Sequence, residues 1–234
     1  MYFDYLNAAL LGLVGTGRKV LDVGCGAGAM GQAIAALGND VTGVDLAADA
    51  VAIARTRVAR VIEGDVTDVD GVAREAGTGF DLIVFADVLE HLVEPGAVLA
   101  RYRTLLAPAG RVLVSVPNVA AWTVRLSLAC GRFEYSESGI LDRTHLRFFT
   151  RASARRMIET AGFAVARTGV TPHLARALWP LIRSRISSTV NSSAVLDSPT
   201  YRFYRRWIEP AETLVASALP GLLACQFVFE ATPR

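Results

Sequence analysis

Four short apolar runs open the chain, KVLDVG, DVTGVD, RVIEGD and FDLIVFAD, each followed by a turn signal and a stretch of helical spacing. Strands buried on both faces read as continuous apolar runs, and strands separated by helices mark βαβ units, so these segments predict the start of a parallel sheet. A fifth run, Arg111–Asn118, follows a predicted helix over Gly96–Leu106 and a turn, APAG. Ser153–Ala161 has helical spacing, with Thr150 as N-cap and Gly162 as stop, and leads into a sixth strand at Phe163–Val170. A last strand, Leu223–Thr232, closes the sheet. Two stretches break the rhythm. Val119–Phe149 leaves the C-terminal end of the fifth strand, and in Thr171–Gly221 a polar run, SSTVNSSAVLDSPT, separates LARALWPLIRSRI from YRFYRRWIEP. The expected organisation is one α/β domain over residues 1–234, with a ligand-binding core over 18–170. Residues 119–149 form an active-site loop insertion, 171–221 a lid or interfacial insertion, and 223–232 the closing strand.

Composition narrows the class. Of 234 residues 52% are apolar, enough to bury a core and to exclude intrinsic disorder. The net charge is only +2, yet residues 1–100 hold 6 basic and 14 acidic residues while 101–234 hold 18 and 8, which points to an anionic or interfacial partner of the second half. Cys25, Cys130 and Cys225 form no C-x-x-C pair, so no disulfide framework and no cysteine zinc site are expected, and a reducing, cytoplasmic location is the default. No secretory signal is expected, because Asp4 stands where such a signal carries basic residues. Thr213–Phe229 is uncharged but shorter than the ~20 residues of a membrane span and is interrupted by Pro220-Gly221.

The candidate chemistry begins where the first strand ends. From Val23 the chain turns through Gly24, Cys25, Gly26 and Gly28, where missing side chains let backbone N–H groups approach a ligand at a helix N-terminus. Gly26-x-Gly28-x-x-Gly31 also satisfies the dinucleotide fingerprint, so a nicotinamide-dependent oxidoreductase is a rival reading. Asp22 weighs against it: an acid beneath the turn repels a pyrophosphate and attracts the ammonium of an amino-acid-like ligand. The second strand ends in Asp45, placed either to accept from both hydroxyls of a ribose or to cap the next helix. After the third strand Asp65 can accept from an adenine amino group or form a plain turn.

DVGCGAG, GVD, EGDV and FDLIVFADVLEHL, in that order and spacing, resemble the class I S-adenosylmethionine (SAM)-dependent methyltransferases, especially the branch that includes the ubiquinone-biosynthesis O-methyltransferases. The resemblance covers roughly residues 18–170. It implies a Rossmann-like, doubly wound sheet of seven strands in the order 3-2-1-4-5-7-6, strand 7 antiparallel, with helices on both faces. It implies SAM as cofactor, its methionine part held by Asp22 and the Gly24–Gly28 turn. Asp45, with Leu46 beside it, would hold the ribose, Asp65 and Val66 the adenine, and Ala86 and Asp87 would line the far side of the pocket. A SAM-binding protein without catalysis is the other rival reading.

Asp142-Arg-Thr-His145, inside the first irregular stretch, provides a candidate base: an Asp three residues before a His can orient it toward a substrate hydroxyl. Equally, the two residues can tie the loop down. His91 reads first as a capping or packing residue. Tyr201, Tyr204 and Ile208, flanked by Arg202, Arg205 and Arg206, fit a helix that covers the active site, with peripheral membrane contact as a second role. The expected activity is methyl transfer to a hydroxyl of a small or lipid-linked acceptor. The DRTHLRFFT segment and the late aromatic excursion resemble methyltransferases of cell-surface glycans, which makes a sugar the first choice. No metal and no nucleic acid are expected.

Overall fold

A computed structural model describes residues 6–172 and 204–234. Seven strands form one sheet in the order β3-β2-β1-β4-β5-β7-β6. They are β1 (Lys19–Val23), β2 (Asp40–Asp45), β3 (Arg60–Glu63), β4 (Phe80–Ala86), β5 (Leu106–Pro117), β6 (Phe163–Pro172) and β7 (Ala224–Pro233). The first five pair in parallel, and β7 runs antiparallel to both β5 and β6, as expected. The helices among the described residues include α1 (Ala8–Leu11), α2 (Ala29–Ala36), α3 (Ala48–Ala54), α4 (Val69–Ala76), α5 (Pro95–Tyr102), α6 (Trp122–Ala129), α7 (Arg151–Thr160) and α8 (Glu209–Ala218).

Burial on both faces accounts for the continuous apolar runs. Along β4, Ile83 and Phe85 join one core with Tyr102, Val112 and Phe229, while Leu82 and Val84 join the opposite core with Leu10, Ile34 and Leu113. The same alternation puts Asp22 on the face of Val20, beneath the start of α2. α7 begins on a capping box, Thr150 and Ser153 bonding reciprocally, and ends before Gly162.

Two boundaries differ from expectation. The helix predicted to Leu106 ends at Tyr102 and tightens into a 3-10 turn over Arg103–Leu105. APAG is a bulge within β5: pairing jumps from Phe80 with Leu106 to Leu82 with Arg111, and Pro108, which lacks an N–H, lies in the part that leaves the ladder. Thr213–Phe229 divides between α8, a short helical turn and β7, and among the described residues no helix is long and apolar enough to cross a membrane. Tyr201 and Arg202, with most of the Thr171–Gly221 excursion, lie outside the described residues, as do the side chains of Tyr204 and Arg205.

Candidate active site

A cavity of about 700 Å³ opens at the C-terminal ends of β1, β2 and β4, roofed by the 119–149 stretch. That stretch is pinned at both ends, since Asn118 bridges to Phe149 and the Asn118 side chain donates to the Ala224 carbonyl at 2.9 Å. Asp22, Gly24, Cys25, Gly26, Asp45 and Leu46 line one end of the cavity, with Val66, Ala86 and Asp87 along its wall. Asp142 and His145 line the other end. Gly28 and Asp65 are not among the lining residues.

The glycine turn has two kinds of glycine. Gly24 (φ 68°), Gly26 (φ 51°) and Gly28 (φ 82°) are all left-handed, and a Cβ on Gly24 or on Gly28 would lie 2.6 Å from Val88 Cγ2 or 3.0 Å from Ala54 Cα respectively. At these two positions the missing side chain makes room for the protein itself. Gly26 meets the site differently: its N–H donates to Asp45 Oδ2 at 2.8 Å.

Asp45 therefore ties the turn to β2. Its Oδ1 accepts from the Ala47 N–H at 2.9 Å, and α3 is capped at Ala47 without a side-chain bond, so Asp45 is not the helix cap. Asp22 is 1% exposed, accepts from the Gly31 N–H, and has no partner for Oδ2. Burial, then the neighbouring Asp45 charge, raise its carboxyl to about 7 against the Gly31 hydrogen bond. Burial followed by the charges of Asp22 and Asp45 also pushes the Cys25 thiol up, so it stays neutral. Asp65 is exposed and forms the turn: its Oδ1 accepts from both the N–H and the hydroxyl of Thr67 at 2.8 Å. Val66 is held from behind by the Tyr102 hydroxyl, which donates to its carbonyl at 3.0 Å.

Asp87 has φ 57°, the only positive value at a non-glycine residue among those described. Strain of this kind persists where the surroundings overdetermine it. Here Asp87 Oδ1 accepts from the Ser115 hydroxyl at 2.8 Å and Oδ2 from Gln226 Nε2 at 2.6 Å, while Gln226 Oε1 accepts from Asn7 Nδ2 at 3.3 Å. Asn7 and Gln226 line the cavity and were not foreseen; no motif links residues 7, 87 and 226.

At the opposite end His145 is 9% exposed and its Nδ1 bonds the Ile140 carbonyl at 3.1 Å. Of the two readings of Asp142, the loop tether fits its bonds: Oδ1 accepts from the Thr144 N–H (2.8 Å) and hydroxyl (2.7 Å), while the His145 Nδ1 meets Ile140. Burial lowers the His145 pKa, with the nearby His91 ring adding to it against the Ile140 and Asp142 contributions, and so favours the neutral ring. For Asp142 partial burial acts upward, but the Thr144 hydrogen bonds and the two imidazoles outweigh it and the carboxyl is lowered. His91 is neither buried nor a cap. It is exposed, lines the cavity, and stacks edge-on to His145 with ring centroids 4.8 Å apart. Glu90, which the sequence analysis passed over, is 1% exposed and lies with its Oε1 4.0 Å from His145 Nε2. Burial, then the Asp87 charge, raise its carboxyl well above the usual range.

A family model described as a methyltransferase domain matches residues 2–168. The chain belongs to this methyltransferase family. Among curated relatives, the ubiquinone biosynthesis O-methyltransferase of Idiomarina loihiensis is 31% identical over 150 residues, 62% of this chain and 61% of that one. The enzyme of the same name from Xanthomonas axonopodis pv. citri is 35% identical over 118 residues, 49% of this chain and 48% of its own. The chain thus spans about half to three fifths of the length of these relatives. A SAM-dependent methyltransferase from Archaeoglobus fulgidus shares the fold with a TM-score of 0.58 at 16% identity, covering 92% of this chain and 85% of that one. A magnesium protoporphyrin IX methyltransferase from Synechocystis, solved with bound S-adenosylhomocysteine, has a TM-score of 0.56 at 19% identity, covering 95% and 77%.

The glycine-turn end of the cavity has a chemical demand of its own. A buried carboxyl oxygen without a partner, beside a helix N-terminus, calls for a ligand that brings its own donor, and a ligand with an ammonium group supplies one. A dinucleotide pyrophosphate would bring a second anion against Asp22 and Asp45.

Proposed function

We propose that this methyltransferase moves the methyl group of SAM to a hydroxyl oxygen, and that the acceptor is a sugar in a small or lipid-linked molecule. The observation that carries the reading is Asp22, buried and with one oxygen unpartnered at the glycine turn, facing a cavity whose far end holds a neutral histidine. Asp22 takes the donor's ammonium, Asp45 offers its remaining lone pairs to the ribose, and Val66 and the Asp65 turn flank the adenine. The glycine turn shapes the floor of the site, and Ala86 and Asp87 form its far wall. SAM supplies a methyl group on a sulfonium, already a good leaving group. The chain's main contribution is alignment, an effect of ~7–11 kcal/mol in well-oriented systems. With Nδ1 on the Ile140 carbonyl, His145 Nε2 remains to receive the hydroxyl proton, worth roughly 10²–10⁴-fold. The O-methyltransferase names of the relatives support oxygen as the accepting atom.

Thermal shift with SAM, S-adenosylhomocysteine and NAD tests the donor: a ligand at 100 times its Kd stabilises by ~2.7 kcal/mol. The first two should raise Tm and NAD should not; a shift with NAD alone overturns the reading. Transfer of radiolabelled methyl to sugar nucleotides and lipid-linked sugars tests the acceptor. Peripheral membrane contact through 171–221 is supported by exposed Leu214 and Leu219 at the end of that excursion. Loss of flotation with anionic liposomes at low salt would eliminate it, since basic residues near such a surface contribute about 1 kcal/mol each.

A further inference from the structure

Three aromatic rings on the roof stretch form a surface that donor binding and proton transfer leave unused. Phe133 and Tyr135 stand two residues apart in the irregular segment before Ser136, with ring centroids 5.5 Å from each other. Both rings lie 6.3 Å from that of half-buried Phe148, which meets the His145 ring edge-on at 6.2 Å. The aromatic surface therefore begins at the histidine and runs outward along the roof. Phe133 is 46% exposed and Tyr135 53%. A single exposed apolar side chain is ordinary, but a contiguous group of rings at the edge of a cavity marks a binding surface. The backbone ties this surface to the cavity. The Ser136 N–H donates to the Leu141 carbonyl at 2.9 Å and the Arg143 N–H to the Ser136 carbonyl at 3.0 Å, closing a loop whose Ser138, Gly139 and Ile140 line the cavity. The Ile140 carbonyl in turn meets His145 Nδ1, so the histidine and the rings belong to one bonded unit.

The residues between and beside the rings decide what the surface takes. Arg132, Glu134, Ser136 and Glu137 are exposed, and Arg143 forms an ion pair with Glu137. An alkyl chain gains nothing from charges and hydroxyls interleaved with the rings. A pyranose has both halves of the complement: one face of C–H groups, which suits the electron-rich face of an aromatic ring, and a rim of hydroxyls that donate to carboxylates and accept from a guanidinium. We propose that Phe133, Tyr135 and Phe148 hold a second sugar ring of the acceptor, so that the acceptor is a glycan of at least two rings and not a free monosaccharide. The inference rests on the reading of a sugar hydroxyl as the methyl acceptor. The ring to be methylated places its hydroxyl at His145 Nε2, and its neighbour in the glycan lies on the aromatic surface that starts at the same histidine.

The experiment is saccharide binding to the full chain in the presence of S-adenosylhomocysteine, read by saturation-transfer NMR and calorimetry. The probes are methyl glucoside, maltose and maltotriose, and the matching mannose series. In at least one series two rings should bind at least about fivefold tighter than one, the range of an aromatic contact. Phe133→Ala and Tyr135→Ala should each remove most of that gain, and Tyr135→Phe should keep it, because the ring face and not the hydroxyl makes the contact. Retained thermal shift with SAM shows that a variant is folded. Equal affinity for one ring and two in both series, binding of no saccharide, or a gain that survives in either alanine variant overturns the inference. Binding to phosphatidylglycerol vesicles that the two alanine variants lose, with no gain from a second ring, assigns the surface to lipid instead. Methyl transfer to a saccharide without a gain from the second ring defeats this inference alone; a gain lost in both variants, with no methyl transferred to any saccharide hydroxyl, defeats the methyl-transfer reading alone.

Discussion

Donor binding should expel a proton, and Asp22 should be its source. In the ligand-free protein this carboxyl titrates at about 7 against an ordinary value of 3.8, first because it is buried and then because Asp45 is near. At pH 6 it is therefore about 0.9 protonated, and at pH 8 about 0.1. An α-amino group titrates near 7.7–8.0, so at pH 6 the donor arrives as an ammonium ion and favours the Asp22 carboxylate. Calorimetry at pH 6 in buffers of different ionisation enthalpy should thus report release of about 0.9 proton per SAM bound. As pH rises toward 7 affinity should climb about tenfold per unit, level off just above 7 and fall again above about 8, where the donor ammonium loses its proton. Asp22→Asn should abolish the release and, at pH 7.5, weaken binding roughly 10- to 150-fold, the worth of a charge-assisted hydrogen bond of ~1.5–3 kcal/mol.

The same carboxyl leaves a mark on stability without ligand. Between pH 4 and 7 the unfolded chain has lost the Asp22 proton while the folded chain still holds it, so stability falls as pH rises across that window. The loss should total roughly 4 kcal/mol and cease above pH 7. Because Glu90 acts in the same direction, the comparison that isolates Asp22 is wild type against Asp22→Asn, in denaturant titrations at pH 5 and 8. Equal pH slopes in the two proteins, or SAM binding with no proton released at pH 6, would refute the reasoning.

Four further outcomes follow from the donor turn and the histidine end. Asp45→Ala removes the acceptor for the Gly26 and Ala47 N–H groups as well as the ribose contact, so SAM affinity should drop more than tenfold and stability by about 1–3 kcal/mol, read by calorimetry and urea titration. Gly28→Ala should cost about 1–3 kcal/mol of stability through its left-handed backbone and contact with α3, while the folded protein binds SAM within about threefold of wild type; a selective loss of binding would return Gly28 to the ligand surface. His145→Ala should lower turnover at least a hundredfold at nearly unchanged SAM affinity, roughly the weight of a lost base. Asp142→Asn should fall much less than His145→Ala, because Asp142 bonds Thr144 and leaves the imidazole to Ile140.

The topology was open to sequence reading because β1, β2, β4 and most of β5 are buried on both faces. KVLDVG and FDLIVFAD have no polar face to interrupt them, and Thr150 and Gly162 mark the ends of α7 by local chemistry. Boundaries failed where tertiary contacts override local signals. Tyr102 ends α5 early, its ring packed edge-on to Phe85 at 5.1 Å and its hydroxyl committed to Val66, and Ala107–Gly110 is drawn into a bulge by pairing on both sides. The short α1, capped by Asn7, carries too few residues for a periodic pattern to register.

The two ends of the cavity differ in legibility for a related reason. The donor end is built from a turn and the tips of adjacent strands, so Asp22, the glycines and Asp45 fall within 24 residues and their order alone limits the chemistry. Even there the motif concealed a division of labour: Gly28 serves packing against α3, whereas the Gly26 N–H serves the link to Asp45. The histidine end is assembled across the fold. Glu90 and His91 follow β4, and His145 is returned to them by a stretch clamped at Asn118 and Phe149, through hydrogen bonds from Leu146 and Arg147 to the Glu90 carbonyl. A pairing made of backbone bonds to one carbonyl leaves no side-chain signature, so Asp142, three residues away in sequence, looked like the partner of His145. The buried Glu90 carboxyl, with its Oε1 4.0 Å from Nε2, is the acid that the fold brings to that ring's open nitrogen.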